Sequence, residues 1–378
     1  MWETFRSHLD VLWGFVVALG IVLVLTPAVG RVARVLGVVD EPLDRRRVHL
    51  AVVPRLGGVA LFLGLFIPAL AFLELNGPYR GILLGAALAT TVGMVDDFRG
   101  LPWWGKLGGQ ISAAAIPVYY GVDIDRFTFP ILGSHALPQW LAVGLSVLWI
   151  VAIMNMVNFL DGLDGLAAGI CGIAGATFAV IALSLDRPDA AVLSAVVAGA
   201  CLGFLRHNFY PARIFMGDSG ALLLGFVLAT VSIQGLLKTA ATVALFFPLI
   251  VLAVPILDTS FVVARRLKHG EKFYVPDQAH LHHRFLRRGF SQPRAVLYFY
   301  AWCAILGGAA LVTRFVPFRE GGEWHLWPTV IAAVIAALAL VASLYIVYVV
   351  EILKLRRVRA WVERRREAKD EQSRALSA

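Results

Sequence analysis

The stretch Asn155–Gly169, NMVNFLDGLDGLAAG, places two carboxamides, two carboxylates and three glycines between segments that are otherwise almost wholly apolar. In a water-soluble protein such a run would be unremarkable. Its surroundings decide how it reads: 59% of the 378 residues are hydrophobic, only 16% are charged, and the mean hydropathy is +0.76. A chain of that composition cannot present a surface compatible with water on all sides, so the fold class is all-α, a polytopic integral membrane protein. Polar groups inside such a chain are costly and therefore point to function.

Outward from that run, windows of about 20 residues pick out apolar spans at 11–32, 56–75, 81–95, 107–121, 139–157, 166–185, 190–205, 220–237, 240–263, 295–316 and 328–353, eleven transmembrane helices in all. Spans 81–95 and 107–121 are short for a crossing, and Pro248 and Pro255 predict a kink in 240–263. Lys and Arg are retained on the cytoplasmic side. With the amino terminus outside and the carboxyl terminus cytoplasmic, 27 of the 34 basic residues fall on the inner face and 7 on the outer. The net charge of +9 is then an orientation signal, and no nucleic-acid partner is needed to explain it.

Met1–Asp10 lacks the features of a cleavable signal peptide, so the first helix is expected to be retained. Cys171, Cys201 and Cys303 lie within spans, which favours packing over a disulfide framework or a thiolate metal site. The chain reads as one multi-helix unit, 1–353, with cytoplasmic loops at 33–55, 96–106, 155–165, 206–219 and 264–294. A basic tail, 354–378, is expected on anionic inner-leaflet lipid.

Five polar clusters fall on the cytoplasmic side. DEPLDRRRVHLAVVPRLGG (Asp40–Gly58) carries Arg45, Arg46, Arg47 and Arg55, suited to an anion or to anionic lipid. Adjacent Asp96 and Asp97 repel one another, which a cation or a proton must relieve, and they stand at a helix carboxyl end where the macrodipole opposes them. Lys106 and Gln110 follow. Asn155, Asn158, Asp161 and Asp164 are spaced three apart, so neighbours share a helix face while the series sweeps about half a turn. Gly162 and Gly165 are expected to break the helix and converge these groups on one cavity; the alternative is a buried network joining helices. In FYPARIFMGDSGALLLG (Phe209–Gly225), Asp218 suits either an N-cap or a magnesium ligand. HLHHR (His280–Arg284) could hold zinc, but arginines beside it favour a diphosphate. Acidic ligands with a basic rim are what magnesium-dependent phosphoryl transfer requires, and the bilayer edge suggests one lipid and one soluble reactant.

With these pieces assembled, the chain resembles the polyprenyl-phosphate N-acetylhexosamine-1-phosphate transferases. The resemblance rests on PRLGG (Pro54–Gly58), the Asp96–Asp97 pair with Lys106, NxxNxxDGxDGLA (Asn155–Ala167), FMGDSG (Phe215–Gly220) and HLHHR, in order over roughly residues 40–290. It implies transfer of a sugar 1-phosphate from a UDP-N-acetylhexosamine to undecaprenyl phosphate with release of UMP, at the bacterial inner membrane. It also implies Mg2+, with Mn2+ as a substitute, and allows a homodimer. A lipid phosphate monoester with a second pKa near about 6 is largely dianionic at neutral pH, so no strong base is required.

By this resemblance Asp96, Asp97, Asp161, Asp218, His280 and His282 are the catalytic set, and Asp218, Asp96, Asp97 and Asp161 the metal ligands. Substrate binding falls to Arg46, Arg47, His49, Lys106, Asn155, Asn158, Asp164, Arg213, His283 and Arg284. Arg47 stands where the family commonly has lysine, in a segment one residue longer than usual, and the two cations are not equivalent at phosphate. HLHHR resembles the branch that uses UDP-N-acetylglucosamine more than the phospho-N-acetylmuramoyl-pentapeptide transferases. A CDP-alcohol phosphotransferase would require Ala-Arg after the first Asp-Gly, and a transporter would require midplane charges and an internal repeat.

Overall fold

A computed structural model describes residues 2–40, 52–129, 133–237, 252–254, 256–257, 285–286, 289–315, 319–320, 323–324 and 326–347. Helices dominate: α1 (Trp2–Val35), α2 (Gly57–Phe72), α3 (Gly77–Arg99), α4 (Trp103–Tyr119), α5 (Gln139–Leu160), α6 (Leu166–Ser184), α7 (Pro188–Asn208), α8 (Gly217–Val231), α9 (Gln292–Phe315) and α10 (Leu326–Val347). A π-helical turn, Ser232–Leu237, continues α8. Among the described residues, seven helices are long and apolar enough to cross a membrane. These ten helices follow the expected spans in order. The span expected at 240–263 lies almost wholly outside the described residues.

The helix expected at 81–95 is longer than its apolar run. It begins with Pro78 in its first turn, where a missing N–H is harmless, and ends at Gly100, whose N–H reaches the Asp96 carbonyl. At 23 residues it is long enough to cross. Among the described residues, three antiparallel strand pairs decorate the helical body: β1 (Val39–Asp40) with β2 (Val53–Pro54), β3 (Arg126–Phe129) with β4 (Gly133–Ala136), and β5 (Arg319–Glu320) with β6 (Glu323–Trp324).

Helix α8 is the axis of the molecule. Its residues are buried along nearly its whole length, and α2, α3 and α5 pack around it. A second layer forms where α7, rich in Ala and Gly, lies against α1, α2 and α6, since small side chains let helix backbones approach. α9 packs on α6, and α10 packs on α9. Val24, Leu148, Trp327 and Val341 are exposed apolar residues on the outer helices, a surface that lipid covers and water would not tolerate. The packing brings the carboxyl ends of α3, α5 and α7 together with the amino ends of α4, α6 and α8, so the polar runs meet.

Candidate active site

Asp97, in the last turn of α3, faces the first turn of α8. Its Oδ1 accepts the Asp218 N–H at 2.8 Å. Its Oδ2 accepts the Ser219 N–H at 3.0 Å and the Ser219 hydroxyl at 2.8 Å. A carboxylate from another helix thus satisfies two amides that α8 cannot satisfy itself, at the end where its dipole favours negative charge. The side chain is fully enclosed, with Arg55 Nη2 3.5 Å from Oδ1. Gly217 makes the approach feasible: its φ is +68°, and a Cβ there would stand 2.5 Å from Asp97 Oδ2. Gly93 lets α3 come close, since its Cβ would meet the Ser219 Cα at 2.4 Å.

Fixed in this way, Asp218 turns its carboxylate toward α4 and α5. Oδ1 accepts the Asn158 Nδ2 amide at 2.9 Å, and Oδ2 pairs closely with the Lys106 ammonium. The same ammonium lies 2.9 Å from Asp96 Oδ2 and 3.2 Å from Asn158 Oδ1. Burial alone would lower the pKa of Lys106, but Asp218 and Asp96 outweigh it and raise it. Three oxygens from α3, α5 and α8 therefore converge on one cation.

One turn further into the helices, Asn155 and Gln110 form a reciprocal amide pair, Nδ2 to Oε1 at 2.8 Å and Nε2 to Oδ1 at 3.2 Å. Gln110 is buried, and the pair joins α4 to α5. Asp161 stands at the carboxyl end of α5, and its carboxylate makes no hydrogen bond to another described residue. Burial pushes its carboxyl well above the usual range and the Asp218 charge adds to this, against a smaller opposing effect of Arg55. Asp164 Oδ2 accepts the Ala212 N–H at 2.9 Å, tying the α5–α6 turn to the segment before α8.

That turn ends at Gly165, whose φ of +78° starts α6. Asn208 Oδ1 accepts the Gly165 N–H at 3.0 Å while its Nδ2 donates to the Ile214 carbonyl at 2.9 Å. The Tyr300 hydroxyl of α9 donates to the Gly165 carbonyl at 2.5 Å.

Among the described residues, no three carboxylate, imidazole or thiol groups form a ready-made metal cage. The donor set nevertheless fits magnesium, which is typically held by one or two protein carboxylates together with substrate phosphates and water. Asp96, Asp97, Asp161 and Asp218 are answered among the described residues only by Lys106 and Arg55. Arg55 is shared with Asp40, 3.8 Å away, so the carboxylates of the centre outnumber the described cations beside them, a setting that suits a divalent cation.

Residues 79–236 match the model of the family described as glycosyl transferase family 4. The chain is 39% identical over 305 residues to the probable undecaprenyl-phosphate N-acetylglucosaminyl 1-phosphate transferase of Bacillus subtilis (strain 168), covering 79% of this chain and 84% of that protein. The chain belongs to glycosyl transferase family 4. Within that family it is also 35% identical over 339 residues to the decaprenyl-phosphate N-acetylglucosaminephosphotransferase of Mycobacterium tuberculosis (strain ATCC 25618 / H37Rv), covering 82% of this chain and 84% of that protein. Identity is 32% over 291 residues to the phospho-N-acetylmuramoyl-pentapeptide-transferase of Moorella thermoacetica (strain ATCC 39073 / JCM 9320), covering 71% and 87%.

For this family 4 protein, the expected site residues divide by location. Asp96, Asp97, Lys106, Asn158 and Asp218 share one hydrogen-bonded cluster; Asp161 interacts with its charges, and Asn155 and Asp164 flank it in the fold. Arg213 instead lines a cavity with Arg31, Arg34 and His207. Arg46, Arg47, His49, His280, His282, His283 and Arg284 lie outside the described residues. Sequence reasoning gave no role to Ser219, Asn208 or Tyr300. The signal for Asn208 is an amide ending an apolar helix just before FYPARIFMGDSG; Tyr300 carries no local signal.

Proposed function

We propose that the protein transfers N-acetylglucosamine 1-phosphate from its UDP-sugar to undecaprenyl phosphate, at the cytoplasmic face of the bacterial inner membrane. An oxygen of the lipid phosphate forms a bond to the phosphorus that carries the sugar. The bond from that phosphorus to the bridging oxygen breaks, and UMP leaves with the electron pair. The observation that carries the reading is the Lys106 ammonium bound by Asp96, Asp218 and Asn158 oxygens at the meeting point of helix ends. The relatives named as N-acetylglucosamine phosphotransferases, at 39% and 35% identity against 32% for the muramoyl-pentapeptide relative, support the choice of sugar.

Asp218 and Asp96, with Asn158, would hold Mg2+, and Asp161 offers a further carboxylate beside them. Bound there, the ion would neutralise the diphosphate and stabilise charge as UMP departs. Asp97 acts through its hold on α8, fixing where Asp218 points. With a metal ion on those oxygens, Lys106 would serve as a point charge for a phosphate. The Asn155–Gln110 pair keeps α4 and α5 in register beneath these groups.

The test is UMP release by the purified full-length protein with undecaprenyl phosphate, Mg2+ and a panel of UDP-sugars. Turnover is expected with UDP-N-acetylglucosamine. Reaction only with the muramoyl-pentapeptide nucleotide would overturn the sugar assignment. No UMP from any sugar, with a well-folded protein, would overturn the reaction.

A further inference from the structure

A cavity of about 240 Å3 lies between the last turns of α1 and the segment that follows α7, and it shares no lining residue with the acidic centre. Thr26, Arg31, Arg34, His207, Arg213 and Ile214 line it. We propose that it is a second, separate anion site, built for a phosphate group such as that of a phospholipid headgroup or of free phosphate.

Arg31 and Arg34 are three apart on α1 and share a helix face; Arg213 approaches from a segment distant in sequence. Orientation in a membrane requires positive charge on one side, but it does not require guanidiniums from two elements to converge on one hollow. Arg55 and Lys106 both have carboxylate partners. Among the described residues, no carboxylate pairs with Arg31, Arg34 or Arg213, and no acidic residue lines the cavity. Three like charges around one space repel until an anion enters. Planar guanidinium forks match the oxygens of phosphate, and a tetrahedral oxyanion can be shared among several.

The imidazole is prearranged for the same ligand. Pro27 has no N–H, so the Leu23 carbonyl one turn earlier lacks its usual helical donor. His207 Nε2 lies 3.0 Å from that oxygen. A carbonyl can only accept, so Nε2 carries the hydrogen and the ring is held in orientation at the cavity wall. Val24, Val32 and Val35 are exposed on this part of α1, which sets the cavity beside lipid-facing surface.

An anion here would also brace the catalytic segment. Arg213 and Ile214 lead directly into Phe215–Asp218. The Phe215 N–H donates to the Pro54 carbonyl at 2.8 Å, and the Ile214 carbonyl is held by Asn208.

The experiment follows thermal unfolding of the purified full-length protein, unmodified and as the Arg31→Gln/Arg34→Gln double variant. One arm titrates inorganic phosphate in neutral detergent against chloride of equal ionic strength. The other compares nanodiscs of phosphatidylcholine with and without phosphatidylglycerol. A saturable rise in melting temperature in either arm, with the midpoint weakened at least 10-fold in the double variant, is expected. A rise only with phosphatidylglycerol identifies a lipid headgroup, and a rise with inorganic phosphate identifies the free ion as sufficient. Arg213→Gln reaches the cavity from the other side and must weaken the response as well. Equal responses in the unmodified protein and the variants, or no response in any, would overturn the proposal.

Discussion

Replacing Asp97 by Asn tests whether this residue holds the metal or holds the helix that does. The aspartate accepts two backbone amides and one hydroxyl, with both oxygens committed and the side chain enclosed. Asparagine has nearly the same shape but only one acceptor oxygen, so its NH2 must face either the Asp218 or the Ser219 N–H. A charge-assisted hydrogen bond contributes about 1.5–3 kcal/mol, and a buried N–H left unpaired costs about 1–3 kcal/mol. Loss of the negative charge at the start of α8 adds about 0.3–1 kcal/mol. These effects overlap, and together they amount to about 2–4 kcal/mol. Asp97→Asn should therefore lower the melting temperature of the purified protein and lose turnover that added Mg2+ does not restore. Asp218→Asn leaves the Asp97 anchor in place, so it should lose turnover with a smaller change in melting. If Asp97→Asn melts like the unmodified protein and regains activity at high Mg2+, Asp97 is a metal ligand and the anchoring argument fails.

Other substitutions probe the remaining contacts. Lys106→Gln removes the ammonium competing for the Asp96, Asp218 and Asn158 oxygens, so Mg2+ should stabilise the protein at lower concentration in a thermal-shift titration while turnover falls at least about 10-fold; a higher Mg2+ requirement would contradict the shared site. Gly217→Ala puts a methyl 2.5 Å from Asp97 Oδ2 at a φ of +68°, and should cost more than the roughly 1 kcal/mol of a left-handed residue alone, read as lost expression or a lower melting temperature. Asn155→Leu should destabilise by about 1–3 kcal/mol by stranding Gln110, and the Asn155→Leu/Gln110→Leu pair should recover most of that loss in the same melt. Chelation with EDTA should stop UMP release, and Mg2+ should restore it.

The helical, membrane-type class was legible because long apolar runs have few other readings, and seven of the described helices are long and apolar enough to cross a membrane, the one at the short run 81–95 among them. Its true length was hidden because α3 begins with GPYRG and ends with DDFR, polar or small residues that a hydropathy window discounts. That Asp96, Asp97, Lys106, Asn158 and Asp218 stand out was legible as well, since Asp, Asn and Lys are rare in such surroundings, and the fold brings these five together. Their division of labour was not. Asn155 and Asn158 are three apart and chemically identical, yet one is paired with Gln110 and the other with Lys106 and Asp218. Only the packing of α4 and α8 against α5 separates them. Gly165 was legible as a helix break, whereas the groups that hold it, Asn208 and Tyr300, come from 43 and 135 residues away.

The five carboxylates of the centre differ in how many oxygens are tied to neighbouring backbone. Asp97 has both oxygens committed to amides of α8. Asp96 has one, which accepts the Leu101 N–H at the α3–α4 turn, and turns the other to Lys106. Asp164 has one, on Ala212. Among the described residues Asp218 binds no backbone amide; its oxygens meet the Asn158 amide and the Lys106 ammonium. Asp161 makes no hydrogen bond among the described residues. A carboxylate fixed by backbone cannot reorient without breaking an element junction, whereas one held by side chains can exchange a lysine for a metal or a phosphate. On the proposed reading the series runs from scaffold to ligand: Asp97 at one end, Asp96 and Asp164 each with one oxygen tied to backbone, and Asp218 and Asp161 at the end where the chemistry would take place. This ordering explains why adjacent Asp96 and Asp97, indistinguishable by type and position in the sequence, need not share a function.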